Sequence, residues 1–225
     1  MSAAVLKLEF ESLLGGHLDW QSRPTPELAS TGIPAIDTAT GGLPRGCLTE
    51  IFGPASSGRT SLLHAILADA TARGEVCAVV DAEDAFDPAS AAAAGVRLER
   101  LLWIRCGHSA EQALLAADLL IQGGGFGIVA MDFGDTPAAC ARRISLTSWF
   151  RLRRAVEHTP AVLLSLSRQP NAKTCASLML ECARAAGQWN GAPGISRLLR
   201  GLRVHVARRK PTRAVTARFE AHALE

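Results

Sequence analysis

The 225-residue chain contains no tyrosine, so no base can be stacked on one. Only Lys7, Lys173 and Lys210 among its 24 basic residues are lysines; the rest are arginines. With abundant alanine, this reads as a compositional bias of the source genome. The six cysteines never form a C-x-x-C pair, and the six histidines show no ligand-like spacing with them. That excludes the usual zinc frameworks. Several cysteines sit in apolar stretches such as VCAVV, and they read as buried thiols of a reducing compartment rather than disulfides. No apolar run approaches the length that spans a bilayer, which excludes a membrane partner of that kind. Lys7, Glu9 and Glu11 interrupt the apolar pattern of the N-terminus, which makes it a poor signal peptide. The expected location is the cytoplasm. A net charge of +3 is too small to imply nucleic-acid binding by field alone.

What is present suits a globular protein: 48% hydrophobic and 20% charged residues. The length suits one α/β domain with a short extension, not two full domains. Residues 1–30 read as an N-terminal arm, either an interaction segment or a loose terminus, because Gly15-Gly16, Pro24 and Pro26 break whatever forms. Residues 31–225 read as a single core domain.

From Ser30 onward the rhythm is βα. CLTEIF (47–52), FGIVAMD (126–132) and AVLLSLS (161–167) read as strands, and the short, β-branched-rich EVCAVVD (75–81) and RLLWIRC (100–106) as buried parallel ones. Helices are predicted after residue 59, over the alanine-rich 89–95, from Ser109 with its Gln112 partner, and over 145–159. ASLMLECA, GLRVHVARR and AVTARFEAH then read as successive strands, an antiparallel extension of the sheet. The predicted class is a doubly wound α/β fold, mostly parallel, flanked by helices and with antiparallel strands at the C-terminal end.

Residues 53–61, GPASSGRTS, follow a strand and open a helix. The pattern departs from a phosphate-binding loop at one position, where Arg59 replaces lysine. Gly53 and Gly58 let the loop from Pro54 curl so that the backbone amides of Ala55, Ser56, Ser57, Gly58 and Ser61 point toward phosphates, and the Thr60 hydroxyl is a magnesium ligand candidate. Proline itself contributes only its place in the turn, having no N–H. Arginine keeps the charge but is planar, longer and forked, so turnover is more fragile than binding. A plain glycine-rich turn is the bland alternative. Asp132 ends a strand where a magnesium-orienting carboxylate belongs, and Glu83 stands where a carboxylate can polarise an attacking water.

STGIPAIDTATGGLPRGCLTEIFGPASSGRTSLLHA and GEVCAVVDAEDAFDPASAAAAGV resemble the ATPase core of the bacterial RecA recombinases, almost continuously from Ser30 to Asp132. The resemblance implies ATP and Mg2+ as cofactors, Glu83 and Arg59 as catalytic candidates, Asp132 at the magnesium site and Asp87 near the adenine. The adenine-stacking tyrosine of that family falls at Ser90. Its γ-phosphate-sensing glutamine aligns best with Ser167, with Gln169 close by. Arg208 and Lys210 match two lysines that reach a neighbouring subunit's nucleotide in a head-to-tail assembly. The RecA C-terminal domain has no counterpart in this sequence.

Beyond Asp132 the two DNA loops of the recombinases are replaced by GDTPAACARRISLTSWFRLRRAVEH and by the short SRQPNAKTCAS. With the arginine-bearing loop, this resembles the ImuA group, RecA-like proteins of SOS-induced mutagenesis and translesion synthesis. That resemblance implies RecA and error-prone polymerase subunits as partners. Arg142, Arg143, Arg151, Arg153 and Arg154, with Trp149 among them, admit three readings: a single-stranded DNA site, a protein interface, or aromatics packed inward while the arginines line a solvated helix face. Three functions stay open: an ATP-binding regulator, a DNA-dependent ATPase, and a SulA-type cell-division inhibitor that uses no nucleotide.

Overall fold

Strands with no polar face must be covered on both sides, and the chain solves this by alternating them with helices. The computed structural model describes residues 26–134, 136–190, 198–211 and 215–222. Strands β1 (Leu28–Ala29) and β2 (Leu43–Pro44) pair with each other. The main sheet is built from β3 (Cys47–Phe52), β4 (Cys77–Asp81), β5 (Leu101–Arg105), β6 (Ile128–Asp132), β7 (Val162–Ser167), β8 (Leu178–Asn190), β9 (Leu198–Lys210) and β10 (Val215–His222). Their spatial order is β10-β9-β8-β3-β7-β6-β4-β5, parallel from β8 to β5 and antiparallel from β8 to β10. The predicted α/β class, with its antiparallel C-terminal end, is the observed one.

Helices α1 (Pro34–Thr40), α2 (Arg59–Ala72) and α3 (Pro88–Ala93) lie on one face, where Ile36, Leu62, Ile66 and Ala91 pack on Ile51, Val79 and Ala130. Helix α4 (Ala110–Gly123), the short α5 (Ala138–Ala141) and α6 (Leu146–Val156) belong to the other side. There Leu114, Ile121, Trp149 and Leu152 cover Leu48, Val129 and Leu163. Burial on both faces is why β4 reads as an apolar run, CAVV, instead of alternating, and why β7 is buried at every residue, Ser165 and Ser167 included. Helix starts are set by side-chain caps: Ser109 Oγ accepts the Gln112 amide at 3.2 Å and Ser145 Oγ the Ser148 amide at 3.1 Å.

Two details differ from the sequence reading. Strands β8 and β9 are longer than expected, 13 residues each, and beyond Glu181 β8 leaves β3 and pairs with β9 alone. The stretch Ala183–Ala186 is exposed on both faces, so it has no apolar alternation to announce a strand. The expected arm also ends early. Residues 1–25 lie outside the described residues, while Leu28–Ala29 pair with β2 and Ser30 and Thr31 bond to the Asp37 carboxylate. All six cysteines are free thiols. Burial pushes Cys77 and Cys182 up to about 12, but Cys140 is exposed, contrary to the buried reading.

Candidate functional site

The loop between β3 and α2 is fixed by its neighbours. The Gly53 amide donates to the Ser167 carbonyl at 3.2 Å, tying the loop to the end of β7. A Cβ on Gly53 would stand 2.2 Å from the Cys182 carbonyl oxygen on β8, so only glycine fits there. Gly58 adopts φ +90°, and a Cβ on it would meet Val204 Cγ2 of β9 at 2.4 Å. Pro54, Ala55 and Ser56 are exposed, whereas Ser57 is 1% exposed with its hydroxyl lacking a hydrogen-bond partner among the described residues. An orphaned buried hydroxyl in a loop that leads into a 14-residue helix fits an anionic group such as phosphate.

Arg59 is the first residue of α2 and only 9% exposed. Its Nη2 donates to the Gly134 carbonyl at 3.4 Å, just beyond β6. Arg168 Nε donates to the same oxygen at 3.0 Å. Asp132 Oδ1 accepts the Gly134 amide at 2.7 Å. A divalent cation at Asp132 would therefore sit against a guanidinium, charge on charge. The residues present fit a nucleotide's phosphates but do not fit magnesium at Asp132, although Thr60 is exposed at the helix start.

Asp81, fully buried at the end of β4, shapes the loop that carries Glu83. Its carboxylate accepts the amides of Glu83, Ala85 and Phe86 at 3.3, 3.1 and 2.9 Å and the Trp103 indole N–H at 3.2 Å. Glu83 Oε2 lies 3.0 Å from His108 Nδ1, and the hydrogen bond to Glu83 raises the histidine above its ordinary value of 6.5. Asp87 caps α3, accepting the Ala89 and Ser90 amides, and Ser90 Oγ also donates to it. That hydrogen bond from Ser90 lowers the Asp87 carboxyl.

Beside Thr60 and Ser61 opens a cavity of about 740 Å3, within the range of nucleoside-sized sites. Ser90, His64, Phe219 and His222 are among its walls. His64 is 7% exposed, edge-on to Phe86 at 5.9 Å, and burial lowers it below 6.5. Phe219 and His222 come from β10, at the far end of the sheet order, and no local signal marks them. Arg168 was missed for a different reason. The expected sensor position was Ser167 or Gln169, yet the Ser167 hydroxyl donates to the Gln169 carbonyl at 2.7 Å and the residue between them reaches Gly134.

The sequence model of the RecA N-terminal domain matches residues 15–143, more than half of the chain. The chain belongs to the RecA family. It is 32% identical over 186 residues to the RecA protein of Rickettsia bellii (strain RML369-C), covering 75% of this chain and 54% of that protein. The RecA protein of Rickettsia prowazekii (strain Madrid E) is 31% identical over the same shares. The chain thus spans about half the length of the curated relatives it matches. The crystal structure of the RadB recombinase is similar with a TM-score of 0.62 at 17% identity, over 85% of this chain and 95% of that one, a likeness of fold.

On this RecA core the remaining candidates divide. Lys210 Nζ donates to the Thr174 carbonyl at 3.0 Å and to that of Ala176, so its ammonium is engaged within its own chain. Arg208 projects from the same strand, two residues before it. Arg142, Arg143, Arg151 and Arg154 are exposed; Arg151 lies 3.6 Å from Asp118 and the half-buried Arg153 3.4 Å from Glu157. Trp149 takes the inward-packed reading of that segment and not the surface ones. It is fully buried, edge-on to Phe133 at 6.2 Å, and belongs to the core rather than to a DNA or partner surface. No helix of the described residues is long and apolar enough to cross a membrane.

Proposed function

We propose that this RecA-family chain is an ATP-binding regulator of DNA repair that turns nucleotide over weakly or not at all. The position of Arg59 carries the reading. Around it the loop keeps the close-packed Gly53 and Gly58 and the orphaned Ser57 hydroxyl that phosphates suit, while the cation lies on the Gly134 carbonyl. Residues Gly53–Ser61 would hold the phosphates, and the cavity bounded by Ser90 and Phe219 would take the nucleoside, with Asp87 bonded to Ser90 at the cap of α3. A bound nucleotide would supply a polyanion that ties the loop to β6. Glu83 is the candidate to polarise water, but misplacing a charge by about 1 Å costs roughly 10²-fold in rate.

The finer placement is with the ImuA group of SOS-induced mutagenesis and translesion synthesis. It is supported by Arg59 itself and by helix α6, anchored through Trp149 where recombinases carry their first DNA loop. The short stretch between β7 and β8 in place of the second loop supports it too. The partners that follow are RecA and error-prone polymerase subunits, with the exposed arginines of 142–154 as the contact surface for protein or single-stranded DNA. A head-to-tail assembly of copies would use Arg208, with Lys210 first released from its carbonyls. The cytoplasm is the proposed location.

Calorimetric titration of ATP into the wild type and Arg59→Lys tests this, followed by hydrolysis with and without single-stranded DNA. Micromolar binding, about −8 kcal/mol, with little turnover is expected. Strong DNA-stimulated hydrolysis would make the chain a DNA-dependent ATPase instead. Binding by the lysine variant alone would mean that the nucleotide function has been lost, as in a SulA-type inhibitor.

A further inference from the structure

Gly134 collects two cations at the edge of the phosphate loop. Arg59 reaches its carbonyl oxygen at 3.4 Å and Arg168 at 3.0 Å. Arg168 directly follows Ser167, whose carbonyl accepts the Gly53 amide, so it stands at the loop's mouth. The two differ in setting: Arg59 is buried and Arg168 exposed. Among the described residues, the Asp132 carboxylate shares the spot. A Cβ placed on Gly134 would be 2.8 Å from Asp132 Oδ1 and 3.2 Å from Arg59 Nη1, so acid and guanidinium flank the same residue.

In most nucleotide sites a divalent cation neutralises the phosphate oxygens. A guanidinium performs that neutralisation by other means. It stays charged at every physiological pH, and its planar set of five N–H donors matches phosphate oxygens in pairs. A partly buried setting strengthens each such contact relative to water. The Ser57 hydroxyl, buried and without a partner in the same loop, is an independent sign that an anion belongs there. We propose that the loop binds ATP without a divalent cation, with Arg59 and Arg168 supplying the positive charge and donors that magnesium supplies elsewhere. This rests on the nucleotide-binding reading above and specifies the form of the ligand: the unchelated triphosphate.

The test is titration of ATP into the full chain in excess magnesium and, separately, in excess EDTA. The expected dissociation constant in EDTA is within about threefold of that in magnesium. Arg168→Ala is expected to weaken binding in EDTA about tenfold, or about 1.4 kcal/mol. Arg59→Lys, with a compact ammonium in place of the fork, is expected to bind at least about tenfold more weakly in EDTA than in magnesium. Wild-type binding that needs magnesium overturns the inference and leaves the nucleotide reading standing. Wild-type binding in neither condition overturns that reading, and the inference with it.

Discussion

Glu83 Oε2 and His108 Nδ1 stand 3.0 Å apart at the open end of the sheet, one from the loop after β4 and one from the loop after β5. The carboxylate raises the imidazole above 6.5, so the charged imidazole's contribution is lost as pH rises from 6.5 through the folded-state value. An NMR titration of His108 should give a midpoint above 6.5, and Glu83→Gln should return it to the ordinary value. An unchanged midpoint in the variant would mean that Glu83 is not the partner that holds the proton.

Gly58→Ala forces a Cβ against Val204 Cγ2 at 2.4 Å and places alanine at φ +90°. Each effect costs on the order of 1–3 kcal/mol. Urea denaturation should show a lower midpoint, and Val204→Ala in the same chain should recover the steric share but not the backbone share. Gly53→Ala meets a backbone carbonyl instead of a side-chain tip, so no single side-chain change should rescue it.

Trp149→Ala removes a fully buried indole that packs on Phe133 and should destabilise the fold by about 3–5 kcal/mol. Its neighbour Phe150 is 44% exposed, and Phe150→Ala should lie within about 0.5 kcal/mol of wild type. Equal effects in thermal melts would contradict the assignment of Trp149 to the core.

Glu50 is a fully buried carboxylate on β3, and burial raises it above 4.5 even though its Oε1 accepts the amides of Asn171 and Ala172 at 2.6 and 3.0 Å. A raised carboxyl binds its proton more tightly in the folded state. Glu50 therefore makes stability fall as pH rises from 4.5 through the folded-state value. Glu50→Gln keeps an acceptor for both amides and should remove that decline. Urea midpoints at pH 5 and pH 7 measure it.

The strands β3, β4, β6 and β7 were legible in the chain as short apolar runs, because a strand covered on both faces has no polar alternation to hide in. Helix starts were legible at Ser109 and Ser145 because a capping hydroxyl acts on the next three residues. The pair of β8 and β9 was legible only in part, since Ala183–Ala186 of β8 bury neither face. Trp149 and Phe150 adjoin in sequence with nothing local to separate them; the 3.6-residue turn of α6 sends one inward and the other out.

By itself the sequence determined the α/β class and the glycine-bearing loop between β3 and α2, because periodicity, caps and glycine spacing are local quantities, and its likeness to RecA placed it in that family. Tertiary structure alone decided where the charges go. Arg59 and Arg168 meet on Gly134 because the parallel sheet brings the ends of β3, β7 and β6 side by side. Long side chains with several rotamers take their direction from such neighbours, not from the residues before and after them.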